Sequence, residues 1–171
     1  MTPLPVTSGG GLDDSNPTAR LTYLHPGQLV AFAEPMVVTT VLGSCVSVGL
    51  YDESAGVGGL NHFVLSEAFG VDVRSPRYAG PACELLLDRV LALGARAGRL
   101  RAKLFGGATA FSVGPGRTSV GANNVAAARA WLAAQRIETV AADTGGALGR
   151  RLYFELPGGA SRVLTLGGGP R

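Results

Sequence analysis

Two side chains in this sequence have the types and the spacing to do covalent chemistry together: Cys45 and His62. They lie in the stretch CVSVGLYDESAGVGGLNHFVL, Cys45 to Leu65, in which Asp52, Glu53, Ser54 and Ala55 separate two strand-like runs. Such a pattern reads as a β-hairpin closed by a four-residue loop. In the simplest register Tyr51 pairs with Gly56 and Leu50 with Val57, and continuing outward sets Cys45 directly opposite His62 on one face. Opposite Cβ atoms lie about 4.5–5.5 Å apart, which brings a thiol and an imidazole within contact reach. A one-residue bulge would turn them to opposite faces, so the expectation depends on a regular ladder.

The chemistry of such a pair is that of an amidohydrolase. A thiol with an ordinary pKa near ~8.5 is mostly protonated at neutral pH, and an adjacent imidazole can take its proton. The thiolate attacks a carbonyl, the imidazolium protonates the leaving amine, and water hydrolyses the thioester. Just before Cys45, the turn Leu42-Gly43-Ser44 could aim the backbone N–H groups of Ser44 and Cys45 at a developing oxyanion. The hydroxyl of Thr39 or Thr40, on the preceding run, could accept a hydrogen bond from the far ring nitrogen of His62 and so fix its tautomer. The competing reading is structural: a free Cys in an apolar strand is most often a small core hydrophobe, and a strand His a satisfied interior polar group.

The remaining candidates are weaker. Cys83 opens an amphipathic helix with no His nearby in sequence and reads as structural; His25, before Pro26-Gly27, reads as a surface turn residue. The two cysteines and two histidines form no C-x-x-C or H-x-x-x-H pair, so neither a metal site nor a cofactor is expected. The glycine clusters Gly106-Gly107, Gly145-Gly146 and Gly167 to Gly169 lack the phosphate-loop patterns and read as turns or close backbone approaches. Asp143-Thr144-Gly145-Gly146, after a strand-like run, is a weak site-edge signal.

The elements that must position Cys45 and His62 are mostly strands. Apolar, β-branched runs predict strands at Gln28 to Ala33, Val37 to Val41, Cys45 to Tyr51, Val57 to Leu65, Ala102 to Phe105, Ile137 to Ala142, Arg151 to Leu156 and Arg162 to Leu166. One helix is expected from about Pro81 to Ala95, with Ala82, Leu86, Val90 and Leu93 on its apolar stripe. A second is expected from Asn124 to Gln135, capped by Asn123, with Val125, Ala128 and Leu132 inward. Four strands come before any helix, which favours a layered α+β fold with mostly antiparallel or mixed sheets over a doubly wound one.

A chain of 171 residues, 46% hydrophobic and 16% charged, fits one globular domain with a sizeable core. The unperiodic stretch 1–20 is expected to be a flexible leader, 21–167 the domain and 168–171 a short tail. The net charge is +3 with scattered arginines, so a nucleic-acid partner is not expected. Two cysteines make no disulfide framework, and neither a signal peptide nor ~18 uninterrupted apolar residues can be found. A cytoplasmic protein without membrane insertion is the expectation.

The ordered motifs together resemble the CheD family of chemoreceptor glutamine deamidases. They are T-x-x-x-G-S-C-V-S-V from Thr39 through Val48, His62, Arg77-Tyr78-Ala79, Ala102 to Ala108, Val120 to Val125, Asp143 to Gly146, and Gly149-Arg150. The chain departs from the family pattern at Ser66, Gly80 and Asn123. The resemblance implies an α/β sandwich and a Cys-His-Thr triad, carried onto Cys45, His62 and Thr39; distance before the cysteine selects Thr39. It implies hydrolysis of receptor glutamine side chains to glutamate, with methyl-accepting chemotaxis receptors as substrate and a CheC-type phosphatase as a further partner. Two rival readings stand beside it: a non-catalytic chemotaxis regulator and another thiol amidohydrolase.

Overall fold

The structure is a computed structural model that describes residues 20–68, 73–109 and 117–167. The expected leader, except Arg20, and the expected tail lie outside the described residues. Strands are β1 (Arg20–Tyr23), β2 (Leu29–Phe32), β3 (Met36–Leu42), β4 (Val46–Asp52), β5 (Val57–Asn61), β6 (Arg101–Gly106), β7 (Glu138–Thr144), β8 (Arg150–Leu156) and β9 (Ser161–Thr165); the helices are α1 (Ala79–Ala92) and α2 (Val120–Ala134). One sheet has the order β1-β3-β8-β9 and the other β2-β5-β4-β6-β7. Among the described strands only β1–β3 and β6–β7 pair in parallel, so the fold is the expected α+β sandwich of mixed, mainly antiparallel sheets.

The layers follow from which faces are apolar. One core, built from Val46, Val48, Leu50 and Phe63 with Ala82, Leu86, Val90 and Leu132, lies between the five-stranded sheet and the two helices. A second, built from Val38, Leu42, Tyr51, Leu60, Phe105 and Phe154, lies between the two sheets. Strand β4 is covered on both faces and is buried along its whole length, which explains a run of apolar residues without polar alternation. Because side chains alternate along a strand, β4 residues of even number face the helices, whereas Tyr51 and its odd-numbered companions face the other sheet.

The hairpin register differs from the sequence expectation by two residues. Asp52 pairs with Val57, Tyr51 with Gly58 and Leu50 with Gly59. The loop is therefore Glu53 to Gly56, and Gly56 closes it at φ +65°, a left-handed conformation that suits glycine. Asp52 is held as the last strand residue because its carboxylate accepts the N–H groups of Ala55 at 3.1 Å and Arg96 at 2.9 Å. A two-residue shift preserves the parity of the faces, so Cys45 and His62 still share one, as diagonal neighbours and not as a direct pair. In this register Val64 stands opposite Cys45.

Other boundaries also moved. Strand β1 is an edge strand that the sequence reading missed. Helix α2 begins one turn earlier than expected: Ser119, not Asn123, is the N-cap, its hydroxyl accepting Ala122 N–H at 3.0 Å. Helix α1 starts at Ala79, with Pro81 in its first turn where no N–H is required, and Leu93, expected on the stripe, is exposed past its end.

Gly49 marks where the two sheets close on each other: a Cβ there would stand 2.5 Å from Phe154 Cζ. We expect Gly49→Ala to lower stability by about 1–3 kcal/mol through overpacking, read as a reduced urea midpoint with an unchanged slope. An unchanged midpoint would show that this ring can move aside.

Candidate active site

Cys45 is the last residue of a bent connection between β3 and β4, partly buried behind exposed Gly43 and Ser44. Three consecutive carbonyls of this turn are hydrogen-bonded. Gly43 O accepts Ala108 N–H at 2.8 Å, and Cys45 O accepts Gly107 N–H at 2.8 Å. Between them, Ser44 O accepts the Asn124 side-chain amide at 2.9 Å. In a trans peptide the N–H points opposite to the preceding carbonyl, so the Ser44 N–H is turned away from Ala108 and the Cys45 N–H away from Asn124. Neither donates to a backbone carbonyl among the described residues. The following N–H, of Val46, is used by Phe63 O at 3.1 Å.

His62 is 1% exposed and lies just past β5. A regular ladder would offer Val48 the backbone carbonyl of Asn61; instead Asn61 Oδ1 accepts the Val48 N–H at 2.8 Å. The backbone of His62 turns to the other side, donating to Gln28 O at 2.9 Å and accepting Gly27 N–H at 2.7 Å. The ring crosses the interface between the sheets. Thr40 Oγ1 donates its only proton to Leu24 O at 2.7 Å, so toward His62 Nδ1, 2.8 Å away, it can only accept. Nδ1 therefore carries the ring proton and Nε2 presents a lone pair. Nε2 is buried and has no partner among the described residues.

Burial sets the electrostatics. It holds His62 down at about 4, against a smaller upward push from the Leu24 backbone and a further lowering by His25. Burial likewise raises the Cys45 thiol, and its own backbone N–H and the charge of Arg77 pull it back in part. At neutral pH the pair thus rests as thiol and neutral imidazole. Cys83 is buried in α1, pushed up to about 12 by burial, with Asn61 Nδ2 3.5 Å from its sulfur. Such burial keeps that thiol protonated at neutral pH. Among the described residues no three His, Cys, Asp or Glu side chains converge as metal ligands. Among the described residues no helix is long and apolar enough to cross a membrane.

A family model described as CheD chemotactic sensory transduction matches residues 67–165. The probable chemoreceptor glutamine deamidase CheD of Trichlorobacter lovleyi is 42% identical over 150 residues, 88% of this chain and 91% of that one. The probable chemoreceptor glutamine deamidase CheD 1 of Anaeromyxobacter dehalogenans is 40% identical, covering 94% of this chain and 98% of its own. This chain belongs to the CheD family. A relative from Rhodospirillum rubrum, also named a probable chemoreceptor glutamine deamidase CheD, is 43% identical over 84% of this chain. An alignment covering 88% of 171 residues necessarily takes in the stretch from Thr39 to His62.

Within this CheD-family fold, the structure brings Cys45 and His62 to one sheet face but puts Thr40, not Thr39, on the imidazole. The reason is strand alternation: Thr40 shares the inward face of β3 with Val38 and Leu42, and Thr39 faces away. The Thr39 hydroxyl is buried without a partner among the described residues. Asp143 and Gly145 bind the buried Arg150 guanidinium through a carboxylate and two carbonyls, so this turn braces the scaffold. Asn124 was missed as a site residue; its place in the Val120 to Val125 motif was the available signal.

The depressed imidazole has a consequence for stability. Its value is about 4 folded and 6.5 in the unfolded chain, so between these pH values the unfolded state binds the extra proton. The contribution is complete above 6.5 and is lost as pH falls toward 4, at about 1.4 kcal/mol per pH unit, or roughly 3 kcal/mol in all. His62→Gln should flatten this part of the profile of unfolding free energy against pH; an unchanged slope in the variant would assign the acid sensitivity to other groups.

Proposed function

We propose that this chain is a chemoreceptor glutamine deamidase in which Cys45 is the nucleophile, His62 the general base and Thr40 the residue that orients His62. The observation that carries this reading is the Leu24–Thr40–His62 hydrogen-bonded series, which leaves a free Nε2 lone pair on the face that Cys45 shares. The substrate class comes from the names of the relatives.

In the first step the Cys45 sulfur attacks the glutamine side-chain carbonyl while its proton passes to His62 Nε2. The carbonyl oxygen becomes an oxyanion facing the N–H groups of Ser44 and Cys45, which are not committed to any backbone carbonyl among the described residues and which Gly43 lets approach closely. His62 then returns the proton to the leaving nitrogen, ammonia departs and a thioester remains. Water attacks the thioester with His62 again taking the proton, and the thiol is restored as glutamate leaves. The exposed turn at Gly43 and Ser44 suits a side chain offered by a large partner. On this reading the chain works in the cytoplasm, on the receptors' cytoplasmic segments, and the family resemblance adds a CheC-type phosphatase as regulator.

Purified protein mixed with a chemoreceptor cytoplasmic fragment should convert glutamines to glutamates, followed by mass spectrometry, and Cys45→Ala should abolish the conversion. Binding without conversion would favour a non-catalytic regulator, and backbone cleavage would identify a protease; either would sink the deamidase reading. Thr40→Val should lower kcat on the order of 10²-fold, the low end of what a positioned general base contributes. Thr39→Val should cost less. The reverse order would return the orienting role to Thr39, as the family spacing implies.

A further inference from the structure

Asn124 is fully buried, yet its polar atoms serve neither its own helix nor the packing of the core. Its Nδ2 donates to Ser44 O at 2.9 Å and to Val64 O at 2.8 Å. Both partners are carbonyl oxygens, so the amide nitrogen must face them. The cost of the arrangement is visible at the other end of the amide: Oδ1 is buried with no partner among the described residues. A side chain selected only for packing would not leave a buried acceptor unpaired.

The two carbonyls belong to the strands that carry the chemistry. Ser44 immediately precedes Cys45, and Val64, opposite Cys45 in the hairpin register, lies two residues past His62. The regular β4–β5 ladder stops at the Gly49–Leu60 pair and resumes only as the bridge between Val46 and Phe63. Asn124 thus ties the two strands together just beyond that bridge, where the ladder has ended. Of the three donors on the Gly43–Ser44–Cys45 turn, two are backbone N–H groups and Asn124 is the one side chain. The helix comes close enough for so short a side chain because Gly121 and Gly107 meet without Cβ atoms. A Cβ at Gly121 would stand 2.5 Å from Gly107 O, and one at Gly107 2.3 Å from Val125 Cγ2.

We propose that Asn124 is a positioning residue for acyl transfer: by fixing the Ser44–Cys45 peptide plane it aims the Cys45 N–H at the oxyanion. The proposal rests on the reading of Cys45 as nucleophile. An amide that misses the oxyanion loses transition-state stabilisation, whereas the thiol itself loses only the partial lowering its own N–H provides against burial.

Two small probes separate these effects without any receptor. With p-nitrophenyl acetate, the Cys45 sulfur attacks the ester carbonyl through a tetrahedral oxyanion; p-nitrophenolate leaves, the acetyl group stays on sulfur and the thiol proton goes to His62. With iodoacetamide, sulfur displaces iodide at a saturated carbon and no oxyanion forms. Cys45→Ala provides the blank. In Asn124→Leu, near in size and without donors, acylation should fall about 10- to 100-fold, somewhat less than loss of a whole oxyanion donor. Alkylation should stay near the wild-type rate. If Asn124→Leu does not fold, judged by near-UV circular dichroism, Asn124→Ser keeps one donor and should show the same selective fall, smaller in size. A parallel fall in both rates, no change in either, or a wild type that is not acylated at Cys45 would overturn the proposal. A selective fall in acylation would support it even if no receptor glutamine were converted, an outcome that would count against the substrate assignment alone.

Discussion

The imidazole of His62 hangs from one sheet while the hydroxyl that orients it, Thr40, belongs to the other, and their 2.8 Å hydrogen bond closes the sandwich at the site. Thr40 can only accept there, because its proton is committed to Leu24 O. The tautomer, and with it the lone pair on Nε2, therefore depends on the two sheets packing in register. The same burial that fixes the ring holds it down at about 4, so the base is neutral but reluctant to keep a proton. In the proposed reaction, transfer from Cys45 becomes favourable once negative charge develops on sulfur or on the substrate oxygen beside the new imidazolium. A proton held only while that charge persists is readily passed on to the leaving nitrogen.

Cys45, the proposed nucleophile, is positioned by a different device. Its turn is gripped through carbonyls, by backbone N–H groups at the end of β6 and by the Asn124 amide from α2. That grip is stiffened from behind: Gly145 N–H reaches Gly106 O at 2.9 Å, and Thr109 N–H reaches Gly146 O at 2.8 Å. The buried Arg150 guanidinium in turn holds Asp143 and Gly145. The glycine pairs Gly106-Gly107 and Gly145-Gly146 are contact points where backbone meets backbone, as their lack of a phosphate-loop pattern implied. Gly106 shows this most sharply, since at φ +103° a Cβ would stand 2.2 Å from Cys45 O. Exposed turn residues on a rigid support allow a site to be both reachable and precise.

Much of this was legible in the chain itself. The Cys and His types, their parity across a hairpin and the run of buried β4 residues depend on local pattern, and strand alternation preserves parity even when a register slips by two. The loop slipped because Gly56 was free to adopt a left-handed conformation and Asp52 was tied by Ala55 and Arg96, and the last of these lies far along the sequence. Helix α2 began early because the capping serine also reaches Thr109, 2.6 Å away on another segment. The family motifs placed the threonine by counting back from the cysteine, a linear measure that cannot say which face of β3 looks toward the histidine.

What the sequence determined on its own was therefore the chemistry: a thiol and an imidazole on one face of a sheet, in a chain whose ordered motifs belong to one family. What the tertiary structure decided was how that pair is held. The choice of Thr40 depends on a hydrogen bond between two sheets, and the service of Asn124 on a helix brought against a distant turn through glycines. Such contacts join residues far apart in the chain and exist only when the layers close, so no local pattern records them.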